Sequence, residues 1–264
     1  MHHSNTGTWR GSRILKIAAF AGAAGLLAGP VVASHSWGGY HWARTTAQIS
    51  PPVGDNVTAA WDGYLRTAVA DWNRSTVIES PLVAGQSAQK QCKPVAGRIE
   101  VCNATYGRNG WLGIASIWLT GGHISQGTTK VNDTYFNMAQ YNNPAERASV
   151  MCQEIGHDYG LDHQDEDFST DNTNSCMDYT NNPVGNEHPD RHDYDQLLAI
   201  YNHVDSAAAA GAAKSMPSQA AVGDSAADWG TPVRRNSRGQ ADVYVRDLGK
   251  GNKVITHVLW ADER

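Results

Sequence analysis

Residues 151–163 read MCQEIGHDYGLDH. Gln153 and His157 are four residues apart, and residues so spaced share one face of a helix, about 6 Å apart along its axis. Glu154 sits beside Gln153 and overlooks the same ground. Gly160 lets the chain turn sharply, so that His163 approaches the same point from outside the helix. Two imidazoles, one further donor and a carboxylate are what a catalytic zinc requires. Such a site has three protein ligands, an open position for water, and a base for the water's proton. Gln153 stands where the first of the three ligands is expected.

The elements around this stretch are legible. Asn143 is a good N-cap, Pro144 suits the first helical position and Glu146 the third, so a helix begins at 144 and ends at Gly160. Upstream, Ala60, Tyr64, Ala68 and Trp72 recur at helical spacing beside Trp61 and Leu65, with Asp55 or Asn56 to cap that helix. RIEVCNATYG, WLGIASIWLT and TTKVNDTYFN read as strands separated by Gly and Asn turns. Residues 164–189 read as an ordered loop. A last helix carries Tyr194, Leu197, Leu198 and Tyr201 on one stripe. Residues 206–230 have linker composition. The tail, 231–264, reads as a β-hairpin turning at GKGN, too small to stand alone, and docks on the main body or swaps between chains.

Arg10, Arg13 and Lys16 precede a short apolar run, IAAFAGAAGLLAG, and VVAS offers small residues for cleavage after Ala33. Residues 1–33 therefore read as a signal peptide, with a membrane anchor as the other reading of so short a run. The mature chain is expected to be secreted, with no membrane attachment after cleavage. Four cysteines suit two disulfides in that setting. Sequence neighbours cost least to close, which favours Cys92–Cys102 and Cys152–Cys176. The net charge is −5 and no basic block stands out, so nothing points to nucleic acid. Nine tryptophans against three phenylalanines are read mainly as core.

Glu154, His157, Gly160 and His163 resemble the metzincin metalloprotease signature H-E-x-x-H-x-x-G-x-x-H, and Gln153 departs from it. SCMDY resembles the family's Met-turn, with Met177 beneath the metal and Tyr179 two positions on. The likeness is nearest to the matrixin-like group and covers about residues 38–204, with YHWAR and TTKVNDTYF adding to it. It implies an α/β (α+β) fold over 34–205: a twisted mixed sheet, an active-site helix, a Met-turn and a C-terminal helix. It implies a secreted zinc-dependent endopeptidase acting on proteins or peptides, with one catalytic Zn²⁺ held by His157, His163 and a third ligand at Gln153. Glu154 would be the general base, Tyr179 an aid to the oxyanion, and Met177 a floor for the metal. In that group the TTKVNDTYF strand edges the cleft, where an extended substrate adds as a strand. No propeptide cysteine is found between Ala33 and Trp42, and no stretch matches the group's second, structural zinc site.

Gln153 leaves three readings open. Its side-chain oxygen replaces the histidine, with weaker zinc binding. Or His157 and His163 hold a metal weakly and Gln153 only hydrogen-bonds to water. Or the site is empty and the fold is a catalytically impaired, secreted binding protein. His188 and His192 could supply a substitute ligand, although helix-end roles suit them better. The acidic loop DHQDEDFSTD lacks the spacing of a calcium loop, so Ca²⁺ has no support there.

Overall fold

A computed structural model describes residues 1–4, 35–170, 172–214, 219 and 221–262. The chain divides into two units, Met1–Ala33 and Ser34–Arg264. The signal-peptide reading of 1–33 lies outside the described residues beyond the first four. Among the described residues the elements, all in the second unit, are β1 (His41–Trp42), β2 (Val53–Asn56), α1 (Asp62–Trp72), β3 (Leu82–Ala84), β4 (Ile99–Ala104), β5 (Trp111–Thr120), β6 (His123–Asn132), α2 (Asp133–Phe136), α3 (Pro144–Asp158), α4 (Arg191–Ile200), α5 (Ala207–Lys214), α6 (Ala226–Trp229), β7 (Thr231–Arg235), β8 (Ala241–Gly249) and β9 (Asn252–Trp260). Among the described residues no helix is long and apolar enough to cross a membrane.

The nine strands make one mixed sheet in the order β3-β2-β4-β6-β5-β9-β8-β7, with β1 also pairing with β6. The half from β3 to β6 is parallel, and the half from β6 to β7 is antiparallel. The tail hairpin is therefore part of the sheet. β9 runs antiparallel to β5 from Trp111↔Trp260 to Thr120↔Asn252.

Both faces of β5 and β9 are covered, which explains their nearly continuous apolar runs. Ala115, Ile117, Leu119, Ile255 and Leu259 join the core under α1 and α3. Ile114, Trp118, Val254 and Val258 alternate to the other face, where they meet Val222, Trp229 and Tyr244. Trp61, Trp72, Trp111, Trp118 and Trp229 are the largest fully buried side chains, in line with tryptophan as core. The segment read as linker contributes to this second layer. Ala210 and Ala213 are buried, and buried Lys130 reaches the Val222 carbonyl at 2.7 Å and Asp224 at 2.8 Å.

Three expectations are corrected. Asp55 and Asn56 do not cap the first helix; they lie in β2, and α1 begins after Trp61, without a side-chain cap. Leu198 leaves its stripe and is exposed. Only TTKVN of the TTKVNDTYF stretch is strand, because DTYF forms α2, and that strand, β6, is not an edge: Gly127–Asn132 pairs with β4 on one side, and β5 occupies the other. Its backbone donors and acceptors are spent within the sheet, so no substrate strand can add there.

Candidate metal centre

α3 starts as its sequence predicts. The Asn143 side chain accepts from the Glu146 N–H at 2.8 Å, with Pro144 in the first turn. Disulfides join Cys152 of this helix to Cys176, and Cys92 to Cys102. Gly160 ends the helix at φ +93°, and a Cβ there would lie 2.2 Å from the Tyr40 carbonyl oxygen, so only glycine fits. The turn brings His163 edge-on to His157, with ring centroids 4.7 Å apart. Fully buried Met177 packs its sulfur against Gly156 of the helix.

His157 Nδ1 lies 2.9 Å from the Leu161 carbonyl and donates to it, which leaves a lone pair on Nε2. That Nε2 is buried without a partner, and so is Nε2 of His163, whose Nδ1 accepts from the Arg234 guanidinium at 3.3 Å. The third imidazole comes from β9. His257 lies on the same strand face as Ile255 and Leu259, opposite Ala115 of β5, and is fully buried. Ligand atoms of His157, His163 and His257 all lie within 4.8 Å of one another. The His257 ring is 4.0 Å from that of His157 and 4.4 Å from that of His163.

Tyr179 fixes the tautomer of this third histidine. Its hydroxyl donates to Asp242 Oδ2 at 3.2 Å, so its oxygen accepts from His257 Nε2–H at 2.9 Å. The lone pair then falls on His257 Nδ1, which has no partner. Asp242 is held in turn by the Arg234 guanidinium, which also binds Asp162 and Glu166. Outer partners of this kind orient metal-binding imidazoles.

Glu154 is fully buried, and neither of its oxygens has a partner. Its Oε2 is 3.9 Å from His257 Nδ1. It fits because β5 carries glycine opposite it: a Cβ on Gly113 would come within 2.4 Å of Oε1. Burial, and then Asp158, push its pKa well up. Burial lowers the three imidazoles, His157 to about 4, with the neighbouring histidines and Arg234 adding to the effect on His163 and His257. Neutral imidazoles are the ligand form. Buried polar atoms are nearly always bonded, so three orphaned nitrogens beside two orphaned carboxylate oxygens call for a shared partner. That donor set fits zinc.

Gln153 is also buried, but it faces a cavity of about 300 Å³ lined further by Leu112, Glu146, Phe168, Tyr179 and Leu259. Tyr179 thus meets both the cavity and His257. On the side of the N-terminal segment, Trp37 stacks on His157 at 5.0 Å. The other candidates lie elsewhere or are already engaged. His188 binds Asp71 at 2.6 Å and His192 stacks on His35. Arg234 occupies Asp162 and Glu166 of the acidic loop, and Asp167 accepts from Ser169.

Sequence reasoning missed His257, Asp242 and Arg234. The available signal was a histidine inside the apolar run NKVITHVLW.

No family model and no curated protein matches the chain. Among solved structures, High choriolytic enzyme 1 (HCE-1), a hatching enzyme zinc-protease from Oryzias latipes (Medaka fish), is similar at 14% identity and a TM-score of 0.34. The match covers 61% of this chain and 94% of that one. So slight a likeness supports no statement about function.

Proposed function

We propose that the chain is a secreted, metzincin-type zinc endopeptidase of matrixin-like lineage whose third metal ligand is His257 in place of residue 153. The observation that carries this reading is the meeting of three unpartnered imidazole nitrogens with the unpartnered carboxylate of Glu154. The motif residues, Met177 under the helix and two disulfides support it. Zinc held by His157, His163 and His257 would supply Lewis acidity, polarising a scissile carbonyl and acidifying a water. Glu154 takes the water's proton and passes it to the leaving amine. Its burial suits the task, because a carboxylate costly to ionise holds a proton readily. Tyr179 and Asp242 hold His257 in its tautomer. Substrate enters from the cavity walled by Gln153 and Tyr179.

Full burial of Glu154 and the imidazoles favours a second reading. There the metal only staples β9 to the motif helix, and the cavity binds a peptide without cutting it. Zinc content by mass spectrometry and hydrolysis of an unfolded protein separate the two. The peptidase reading expects Glu154→Ala to keep its zinc and lose hydrolysis, and His257→Ala to lose one zinc equivalent. A full zinc complement without hydrolysis in the native chain overturns the peptidase. Unchanged zinc in His257→Ala overturns the ligand assignment.

A further inference from the structure

A second group of imidazoles gathers away from the motif helix. β1 pairs with β6 in parallel with His41 opposite His123, so both side chains leave one face of neighbouring strands. His203 and Asp205 arrive from the chain that follows α4. His123 Nε2 is 3.0 Å from Asp205 Oδ1, His203 Nε2 is 3.4 Å from the same oxygen, and His41 Nε2 is 3.5 Å from Oδ2. Nε2 of His41 and Nε2 of His203 are 3.0 Å apart.

We propose that His41, His123, His203 and Asp205 form a second site for a divalent metal of the zinc class.

Around a tetrahedral zinc with bonds of 2.0–2.1 Å, ligand atoms lie about 3.3 Å from one another. The four separations here run from 3.0 to 3.5 Å, with Asp205 turning Oδ1 to His123 and His203 and Oδ2 to His41. His41 Nδ1 donates to the Gly39 carbonyl at 2.8 Å, which leaves the Nε2 lone pair facing the other donors. The Arg44 N–H holds Asp205 Oδ2 at 2.7 Å. Each of these two donors therefore has the outer partner that aims a metal ligand. His41, His123 and Asp205 bring ligand atoms within 4.8 Å of one another while still partly exposed, so an ion can reach them. His203, more exposed, lies beside His41 and Asp205 as the fourth donor. Three imidazoles and one carboxylate leave no vacant position for substrate, so the ion is structural. It would clamp β1 to the start of β6 and to the end of α4. β1 continues the segment whose Trp37 lies on His157, so the clamp holds that cover over the motif helix. The site does not depend on the peptidase reading, because it shares no donor with the first cluster.

The test counts metal in the purified full-length chain, with a cobalt-substituted sample for the d–d spectrum of a tetrahedral ion and a chelator competition for affinity. The native chain is expected to hold two equivalents, one of which is lost in His123→Ala and retained in His257→Ala. His203→Ala, at an exposed position that leaves the fold unburdened, weakens the same equivalent at least about 10-fold. If the first centre holds no metal, a single equivalent kept in His257→Ala and lost in His123→Ala still supports the site. Equal metal content in native and His123→Ala chains overturns it. If His123→Ala does not fold, an unchanged competition curve in His203→Ala overturns it. No metal in the native chain, even when loaded with cobalt, makes the cluster a hydrogen-bond network only.

Discussion

His257 Nε2 and the Tyr179 hydroxyl lie 2.9 Å apart, joining the last strand of the sheet to the loop after the motif helix. The tyrosine passes its own proton to Asp242, so the histidine must be the donor. In Tyr179→Phe that N–H loses its acceptor, and the tautomer with a free Nδ1 loses its advantage. Zinc affinity is expected to fall about 10- to 100-fold with the number of bound ions unchanged. Chelator competition measures this, and an unaltered affinity removes Tyr179 from the positioning role.

Gln153 and His257 make opposite predictions. Gln153→Ala is expected to keep the native zinc content, and His257→Gln to lose one ion per chain. Metal analysis of the two variants settles which residue supplies the donor.

Gly113 faces the Glu154 carboxylate closely enough that a methyl group would fall 2.4 Å from Oε1. Gly113→Ala displaces the carboxylate and costs about 1–3 kcal/mol of stability through overpacking. In the proposed reaction a displacement of Glu154 by about 1 Å lowers hydrolysis about 100-fold. Thermal melts and turnover on an unfolded substrate report the two effects. Full activity would mean that Glu154 need not hold its place.

Glu146, on the cavity wall, has its pKa raised by burial from 4.5 to about 7. Between those values the unfolded chain has released its proton while the folded chain keeps it. The contribution to stability is whole below pH 4.5 and is lost as pH rises through 7. Glu146→Gln should flatten this part of the melting-temperature profile between pH 5 and 8. Parallel profiles for the two proteins would rule out the titration.

Cys152–Cys176 closes a loop with a sequence separation of 24 and ties the motif helix to the Met177 segment. Replacing both cysteines with serine is expected to cost about 3 kcal/mol. Denaturant melts of the oxidised native chain and the double variant measure the difference.

What could be read in the sequence was local. The start of α3, its end at Gly160, the strand β5 and the hairpin turn all follow from caps, glycines and periodicity within a few residues. His157 and His163 share one short motif, and helical spacing, the rule nearest to hand, points to Gln153 as their companion. His257 obeys no such rule. It reaches His157 only because β9 adds to β5, and that pairing is a matter of sheet order that no short pattern encodes. The same blindness hid the His41–His123–His203–Asp205 group, whose members lie on three separate segments. The resemblance implies an edge at β6, and the sheet overrules it, because whether a strand has neighbours depends on what the rest of the chain does.

The docking of β9 against β5 also orders events in time. A protein is synthesised from its N-terminus, so the helix bearing His157 leaves the ribosome well before the strand bearing His257. Until that strand arrives and pairs, the chain has two imidazoles of the three and an open seam along β5. Completion of the cluster is therefore a record that translation has passed residue 257 and that the sheet has closed. A chain cut short in its final hairpin would keep the motif in full and lack the third imidazole of the cluster.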